Sequence, residues 1–186
     1  MKLPSYMRPK YPVLLVAGLG GLFTVVNLAS AQTWTPTSAP AQGWASIAAS
    51  ADGKKLVAAG GDYWDVAGYG HLQASPIYTS TDSGATWTAT SAPTTSWISV
   101  ASSADGIKLV ATAGGHDDVG GAIYTSTNSG VTWTRTSATA TNWTNWTSIA
   151  SSADGTKLVA TASHPYNYGV GRFGGPIYSS TNSGAT

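Results

Sequence analysis

His116, Asp117 and Asp118 set an imidazole beside two carboxylates, a nitrogen-and-oxygen donor set of the kind that divalent metals accept. Three adjacent side chains diverge, however, so they could meet on one ion only with help from elsewhere, and no His-x-His or HExxH spacing occurs. No metal site is expected from them, and no cofactor motif is present. They belong to one of three stretches, Gly60–Ser75, Gly114–Gly121 and Ser163–Gly175, that hold all three histidines and four of the eight aspartates. The first stretch carries Asp62, Tyr63, Trp64, Asp65, Tyr69 and His71; the third carries His164, Tyr166, Tyr168, Arg172 and Phe173. Aromatic rings beside Asp, Asn and Arg can stack on a sugar or peptide and hydrogen-bond it. Tyr63, Trp64, Asp65, His71, His116, Asp117, Asp118, Tyr166, Tyr168 and Arg172 are therefore the candidate binding residues. The competing reading has these stretches solvated, with their rings covering strand edges. For hydrolysis of a glycoside, two carboxyl groups must face each other. Asp62, Asp65, Asp117 or Asp118 could supply them, but their spacing singles out no couple.

A second pattern recurs with much less variation. Ser80–Trp87 reads STDSGATW, Ser126–Trp133 reads STNSGVTW, and Ser180–Thr186 reads STNSGAT. Asp82 or Asn128 heads a turn in which its side-chain oxygen accepts backbone N–H groups, so the two residue types interchange. Gly84 and Gly130 follow where a positive φ costs glycine nothing. Trp87 and Trp133 return the chain to a strand and suit burial between sheets. The motif explains itself as a turn without catalysis.

These elements recur because the chain repeats. Trp44–Gly61, Trp97–Gly115 and Trp146–Ser163 are copies of one unit, and Asp52, Asp105 and Asp154 mark a period near 50 residues. Within a copy, Trp44–Ser50 predicts a strand, Ala-Asp-Gly a tight turn, and Lys55–Ala59 a second strand. Ile77–Thr81 and Thr86–Thr90 predict a third and a fourth, joined by the Ser80–Trp87 motif. Helix is not expected in this region, which shows no sustained 3.6-residue period. Four antiparallel strands per unit predict an all-β fold of β-propeller type with about three blades, at about 44–93, 97–139 and 146–186. A β-solenoid, the competing repeat fold, has shorter coils and needs no hairpin at two fixed places. In such blades the first-to-second and third-to-fourth turns share one edge, which puts the three variable stretches together on the other.

The pattern S-x-[D/N]-x-G-x-T-W resembles the Asp-box, or BNR repeat, of sialidases and of secreted or periplasmic propellers that include photosystem II assembly factors of the Ycf48 type. The resemblance implies a structural role, away from any ligand, for Ser80, Asp82, Gly84, Trp87, Ser126, Asn128, Gly130, Trp133, Ser180, Asn182 and Gly184. It also raises a sialidase-like activity, for which that family uses an arginine triad, a Tyr–Glu couple and an Asp acid. After residue 31 this chain has only Arg135 and Arg172, no Glu anywhere and no Phe-Arg-Ile-Pro motif. A sialidase mechanism cannot be built from these residues. The expected function is a non-enzymatic binding or assembly module for a protein or glycan partner.

The first 31 residues stand apart: Lys2, Arg8 and Lys10 precede an apolar run from Val13 to Val26 and an Ala29-Ser30-Ala31 site. This is the pattern of a signal peptide, with export to a secreted, periplasmic or cell-surface location. Only if the segment is retained as an anchor would the chain contact a membrane. Beyond it, six Lys/Arg face eight Asp, and there is no Cys. No basic patch remains to hold nucleic acid. The sequons at Asn142 and Asn145 read as drift within the repeat. Gln32–Pro40 repeats the fourth-strand sequence of Ala85–Pro93, so it is expected to be a closing strand. Three blades fall short of the ~4 to 8 that close a propeller. Either the chain is part of a longer propeller, the preferred reading, or two chains pair as a homodimer and complete each other's rings.

Overall fold

Each repeat opens with a tryptophan followed three residues later by Ile or Val, a pair that a regular strand would aim at opposite faces. In the computed structural model, which describes residues 33–61, 74–114, 121–139, 145–163 and 174–185, a β-bulge resolves this conflict. Sheet 1 has strands β1 (Trp44–Ala49), β2 (Leu56–Gly60), β3 (Ile77–Ser80) and β4 (Thr88–Ala89), in that order. Sheet 2 repeats the order with β5 (Trp97–Ser102), β6 (Leu109–Ala113), β7 (Ala122–Ser126) and β8 (Thr134–Thr139). Sheet 3 has β9 (Asn145–Ser151), β10 (Leu158–Ser163) and β11 (Ile177–Ser180). All pairings are antiparallel, and the expected strands lie within two residues of those found.

The bulge occupies the same place in each sheet. The register shifts between Trp44 and Ser46, between Trp97 and Ser99, and between Ala162 and Thr161, the partners of Trp146 and Ser148. One extra residue turns the strand so that Trp97 and Val100, and likewise Trp146 and Ile149, point toward the preceding sheet. Trp97 and Val100 join Val57, Ala59 and Ile77 in one buried cluster between sheets 1 and 2. Trp146 and Ile149 join Val110 and Ile123 between sheets 2 and 3. The core therefore consists of the two inter-sheet layers. Burial follows position in the stack: β6 is buried along both faces, whereas β10, with nearly the same sequence, is buried on alternate residues only.

Hydrogen bonds join the sheets as well. Trp97 Nε1 donates to the Ser75 carbonyl at 3.0 Å, and Trp146 Nε1 to the Gly121 carbonyl at 2.9 Å, so each buried indole is satisfied by the sheet before it. The N–H groups of Val100 and Ile149 donate to the hydroxyls of Ser46 and Ser99, one sheet back. Turn backbones form a further line, from Ala51 N–H to Ala104 O and from Ala104 N–H to Ala153 O, both at 2.7 Å.

All three sheets belong to the unit Pro36–Thr186; of the other unit, Met1–Thr35, only 33–35 are described, so the expected signal segment lies outside the described residues. Among the described residues no helix is long and apolar enough to cross a membrane. Residues 33–40, expected as a closing strand, form no ladder in the single chain. Trp133, whose size suits burial between sheets, packs against the layer between sheets 1 and 2. Trp87 and Trp133 are half-buried, while the strand-opening Trp97 and Trp146 are the fully buried indoles.

Trp97→Ala should cost about 3–5 kcal/mol, since it empties the layer between sheets 1 and 2 and orphans the Ser75 carbonyl. Val131→Ala, at an exposed turn position, should stay within about 0.5 kcal/mol of the parent. Urea unfolding of both variants measures the contrast.

Candidate functional site

Two edges of the stack concern function, and one is built entirely from turns. Ser80 is buried at the end of β3. Its hydroxyl accepts the Gly84 N–H at 2.9 Å and donates to Asp82 Oδ1 at 2.7 Å. Asp82 also accepts the Thr86 N–H at 2.9 Å and the Thr86 hydroxyl at 2.6 Å. Trp87 Nε1 closes the turn on the Gly84 carbonyl at 3.1 Å. The backbone makes this compact loop by placing Ser83 and Gly84 in the left-handed region, with φ of 59° and 88°.

Asn128 reproduces the arrangement with one polarity reversed. Its Oδ1 accepts the Thr132 N–H at 2.9 Å and faces the Ser126 hydroxyl at 3.0 Å, while its Nδ2 donates to Thr132 Oγ1 at 2.8 Å. Asp and Asn interchange because the threonine hydroxyl either donates or accepts.

A related clasp stands at the other turn of each sheet, and sequence reasoning missed it. Ser50 donates to Asp52 at 2.7 Å, and Ser103 and Ser152 donate to Asp105 and Asp154, both at 2.5 Å. Each serine hydroxyl then accepts the N–H five residues on, at Lys55, Lys108 and Lys157. The signal was visible: a serine stands two residues before the Asp or Asn in all six turns. The two turns of a sheet are also tied together, since the N–H groups of Ser83, Ser129 and Ser183 donate to the carbonyls of Lys54, Ile107 and Thr156. This places both turns of every sheet on one edge.

These hydrogen bonds set the acidity of the carboxylates. Thr86, through its hydroxyl and its N–H, and the Ser80 hydroxyl draw the Asp82 carboxyl down to about 2. Ser152 and Thr156 hold Asp154 well below the usual carboxylate range, and Ser50 and Ser103 lower Asp52 and Asp105. A carboxylate so held is an acceptor and not a proton donor at neutral pH. The gaps between neighbouring turns measure about 10 Å³ each, room for about one water.

The opposite edge holds the roots of the variable stretches. Gly61 N–H donates to Gly43 O and Gly114 N–H to Ser96 O, both at 2.8 Å, where the first two stretches leave their sheets. Where they return, the Ser75 and Gly121 carbonyls accept the indoles of the following sheets. At Gly121 a Cβ would lie 1.9 Å from the Ala113 carbonyl, so only glycine fits this return. Tyr63, Trp64, Asp65, His71, His116, Asp117, Asp118, Tyr166, Tyr168 and Arg172 all lie outside the described residues, as does His164. Among the described residues no group of three His, Cys, Asp or Glu comes together.

No protein-family profile and no curated protein matches the chain. Solved structures do. YCF48 bound to D1 peptide superposes with a TM-score of 0.54 at 13% identity, over 81% of this chain and 40% of that one. YCF48 from Cyanidioschyzon merolae gives 0.53 at 14% identity, over 82% and 37%. The GH74 enzyme of Niastella koreensis gives 0.47 at 24% identity, over 76% and 17%. The likeness to the YCF48 structures is one of fold: the three sheets are blades of a β-propeller, and the chain spans about two fifths of the length of those proteins.

Ser126→Ala removes the acceptor of the buried Gly130 N–H and should cost about 1–3 kcal/mol in chemical denaturation. For Asp82 the folded-state pKa is depressed from 3.8 to about 2. Its contribution to stability is therefore complete above the unfolded value and lost as pH falls through the folded one. Asp82→Asn, which copies Asn128, should lose less melting temperature between about pH 4 and about pH 2 than the parent. Thermal melts across that range read the difference.

Proposed function

We propose that the chain is an exported, non-enzymatic propeller segment that binds a protein or glycan partner through its variable-stretch edge. The observation that carries this reading is the asymmetry of the two edges. Six turns on one edge are closed by the same Ser-x-Asp/Asn pattern, with every side chain engaged in its own turn. The other edge has fixed backbone roots and three stretches of unlike length and composition. Variation on a rigid frame is the arrangement by which loops acquire binding specificity.

The reading of the Ser80–Trp87 motif as an Asp-box turn accords with this division. So does the chemistry that is missing. With Asp52, Asp82, Asp105 and Asp154 engaged in turns and no Glu in the sequence, only Asp62, Asp65, Asp117 and Asp118 are left for acid–base work. The solved YCF48 complex with a D1 peptide is an instance of this fold serving as a frame for a peptide. Export rests on the charged and apolar pattern of the first 31 residues.

The triple variant Trp64→Ala, Tyr168→Ala, Arg172→Ala should melt within about 2 °C of the parent, as substitutions in variable loops outside a packed core usually do. It should also lose the partner that the parent retains in a pull-down from the exported fraction, or the glycan it retains on an array. Identical partner lists for parent and variant would overturn the proposal. Hydrolysis of a glycan that Asp62→Asn or Asp117→Asn abolishes would replace it with the enzyme reading.

A further inference from the structure

Each strand-opening tryptophan is reached from a Thr-Ser-Ala sequence, Thr37–Ala39, Thr90–Ala92 or Thr136–Ala138. The three are equivalent in structure, because the N–H groups of Ala39, Ala92 and Ala138 donate to the hydroxyls of Thr37, Thr90 and Thr136. The links that follow are not equivalent. Four residues separate Ala39 from Trp44 and Ala92 from Trp97, but seven separate Ala138 from Trp146. The three extra residues are a repeat in place, since Asn142-Trp143-Thr144 is followed at once by Asn145-Trp146-Thr147. Removing either copy restores a link of four residues.

The frame uses the second copy. Trp146 is 1% exposed, and its Nε1 donates to the Gly121 carbonyl as that of Trp97 does to Ser75 in the sheet before. Asn145 and Trp146 also pair with Ser163 and Ala162 in the ladder of sheet 3. The place for an indole between sheets 2 and 3 is therefore filled. Trp143 has no counterpart in the shorter link, where Pro93, Thr94, Thr95 and Ser96 span an equivalent join.

Residues 140–144 lie outside the described residues, yet both ends of the link are fixed. At its start Thr139 pairs with Ala122, next to the Gly121 root where the second variable stretch returns. At its end Asn145 pairs with Ser163, where the third stretch begins. Consecutive Cα atoms are ~3.8 Å apart, so that of Trp143 is held within about 7.6 Å of that of Asn145. The spare indole thus belongs to the variable-stretch edge, between the roots of the second and third stretches.

The composition of the link narrows its ligand. Thr139–Asn145 holds three threonines, two asparagines, one alanine and one tryptophan, with no charge and no aliphatic side chain larger than a methyl group. Such a set offers no ion pair to a charged peptide and no aliphatic wall to its apolar side chains. Hydroxyls and carboxamides both donate and accept, as the hydroxyls of a sugar do. An indole adds an apolar face, the complement of the C–H face of a sugar ring.

We infer that Trp143 is a ligand-contacting residue and that the Thr139–Asn145 link takes a neutral saccharide. This role rests on the variable-stretch edge being the binding edge, and it gives that edge one ligand chemistry. On an array of neutral oligosaccharides the full chain should be retained, and Trp143→Ala should weaken the retention about five- to ten-fold. Trp143→Phe, which keeps a ring, should recover most of it. Deleting residues 142–144 leaves a link of the length found elsewhere in the chain. That variant should melt within about 2 °C of the parent and lose the saccharide. No retained neutral saccharide, equal retention of parent and Trp143→Ala, or a deletion variant that no longer folds would each overturn the inference. A peptide or protein partner captured by a parent that retains no neutral saccharide would overturn it too, while leaving the wider binding reading in place.

Discussion

An indole buried between two sheets must find an acceptor for its N–H, and in this stack the preceding sheet supplies it. Trp97 and Trp146 take the carbonyls of Ser75 and Gly121, and an orphaned donor at that depth would cost ~1–3 kcal/mol. The demand reaches well beyond one bond. It requires the bulge that brings Trp and the following Ile or Val to one face, and the bulge brings the Val100 and Ile149 N–H groups within reach of Ser46 and Ser99. It also fixes where the first two variable stretches must end, because the accepting carbonyl stands two residues before β3 and one before β7.

The turn edge solves a different problem with one device. A hairpin turn leaves backbone N–H groups without ladder partners. Here the serine hydroxyl takes one and the Asp or Asn oxygen takes another, while serine and carboxylate hold each other in place. Because donor and acceptor lie within a few residues of each other, the device needs nothing from neighbouring sheets. The turns are then joined in line by Ala51, Ala104 and Ala153. The edge is thereby stiffened at low cost in sequence, which explains why its motif recurs three times while the opposite edge drifts.

Much of this was legible in the sequence for physical reasons. A 50-residue period with two turn signals per copy leaves little freedom in counting strands, and β1 to β4 begin within two residues of Trp44, Lys55, Ile77 and Thr86, where the sequence placed them. The bulge was not legible, because Trp-x-x-Ile satisfies neither a strand period nor a helix period until the neighbouring sheet is present. The relative depth of the tryptophans was not legible for the same cause. Trp87 and Trp133 stand at the margin of the inter-sheet layers, and Trp97 and Trp146 stand within them. Ser50, Ser103 and Ser152 could have been found by comparing the two turns of one repeat with each other instead of only with their copies. The candidate binding residues lie outside the described residues and are known by residue type; what the structure adds is the roots of the first two stretches at Gly61, Ser75, Gly114 and Gly121.

Why one edge can vary while the rest does not follows from which atoms are engaged there. Among the described residues, the frame takes main-chain groups from the first two variable stretches: the Gly61 and Gly114 N–H on the way out, the Ser75 and Gly121 carbonyls on the way back. A main-chain carbonyl is supplied by any residue, so Ser75 and Gly121 serve the same indole contact. The residue type matters only where space runs out, as at Gly121 against the Ala113 carbonyl. Between these fixed atoms the stretches differ in length and composition, while the atoms at their roots stay the same. On the turn edge the side chains themselves are the bonds, and a change of residue there is a change in stability. The two edges thus differ in kind: one holds its fold through side chains, the other through main-chain groups at the roots of its stretches.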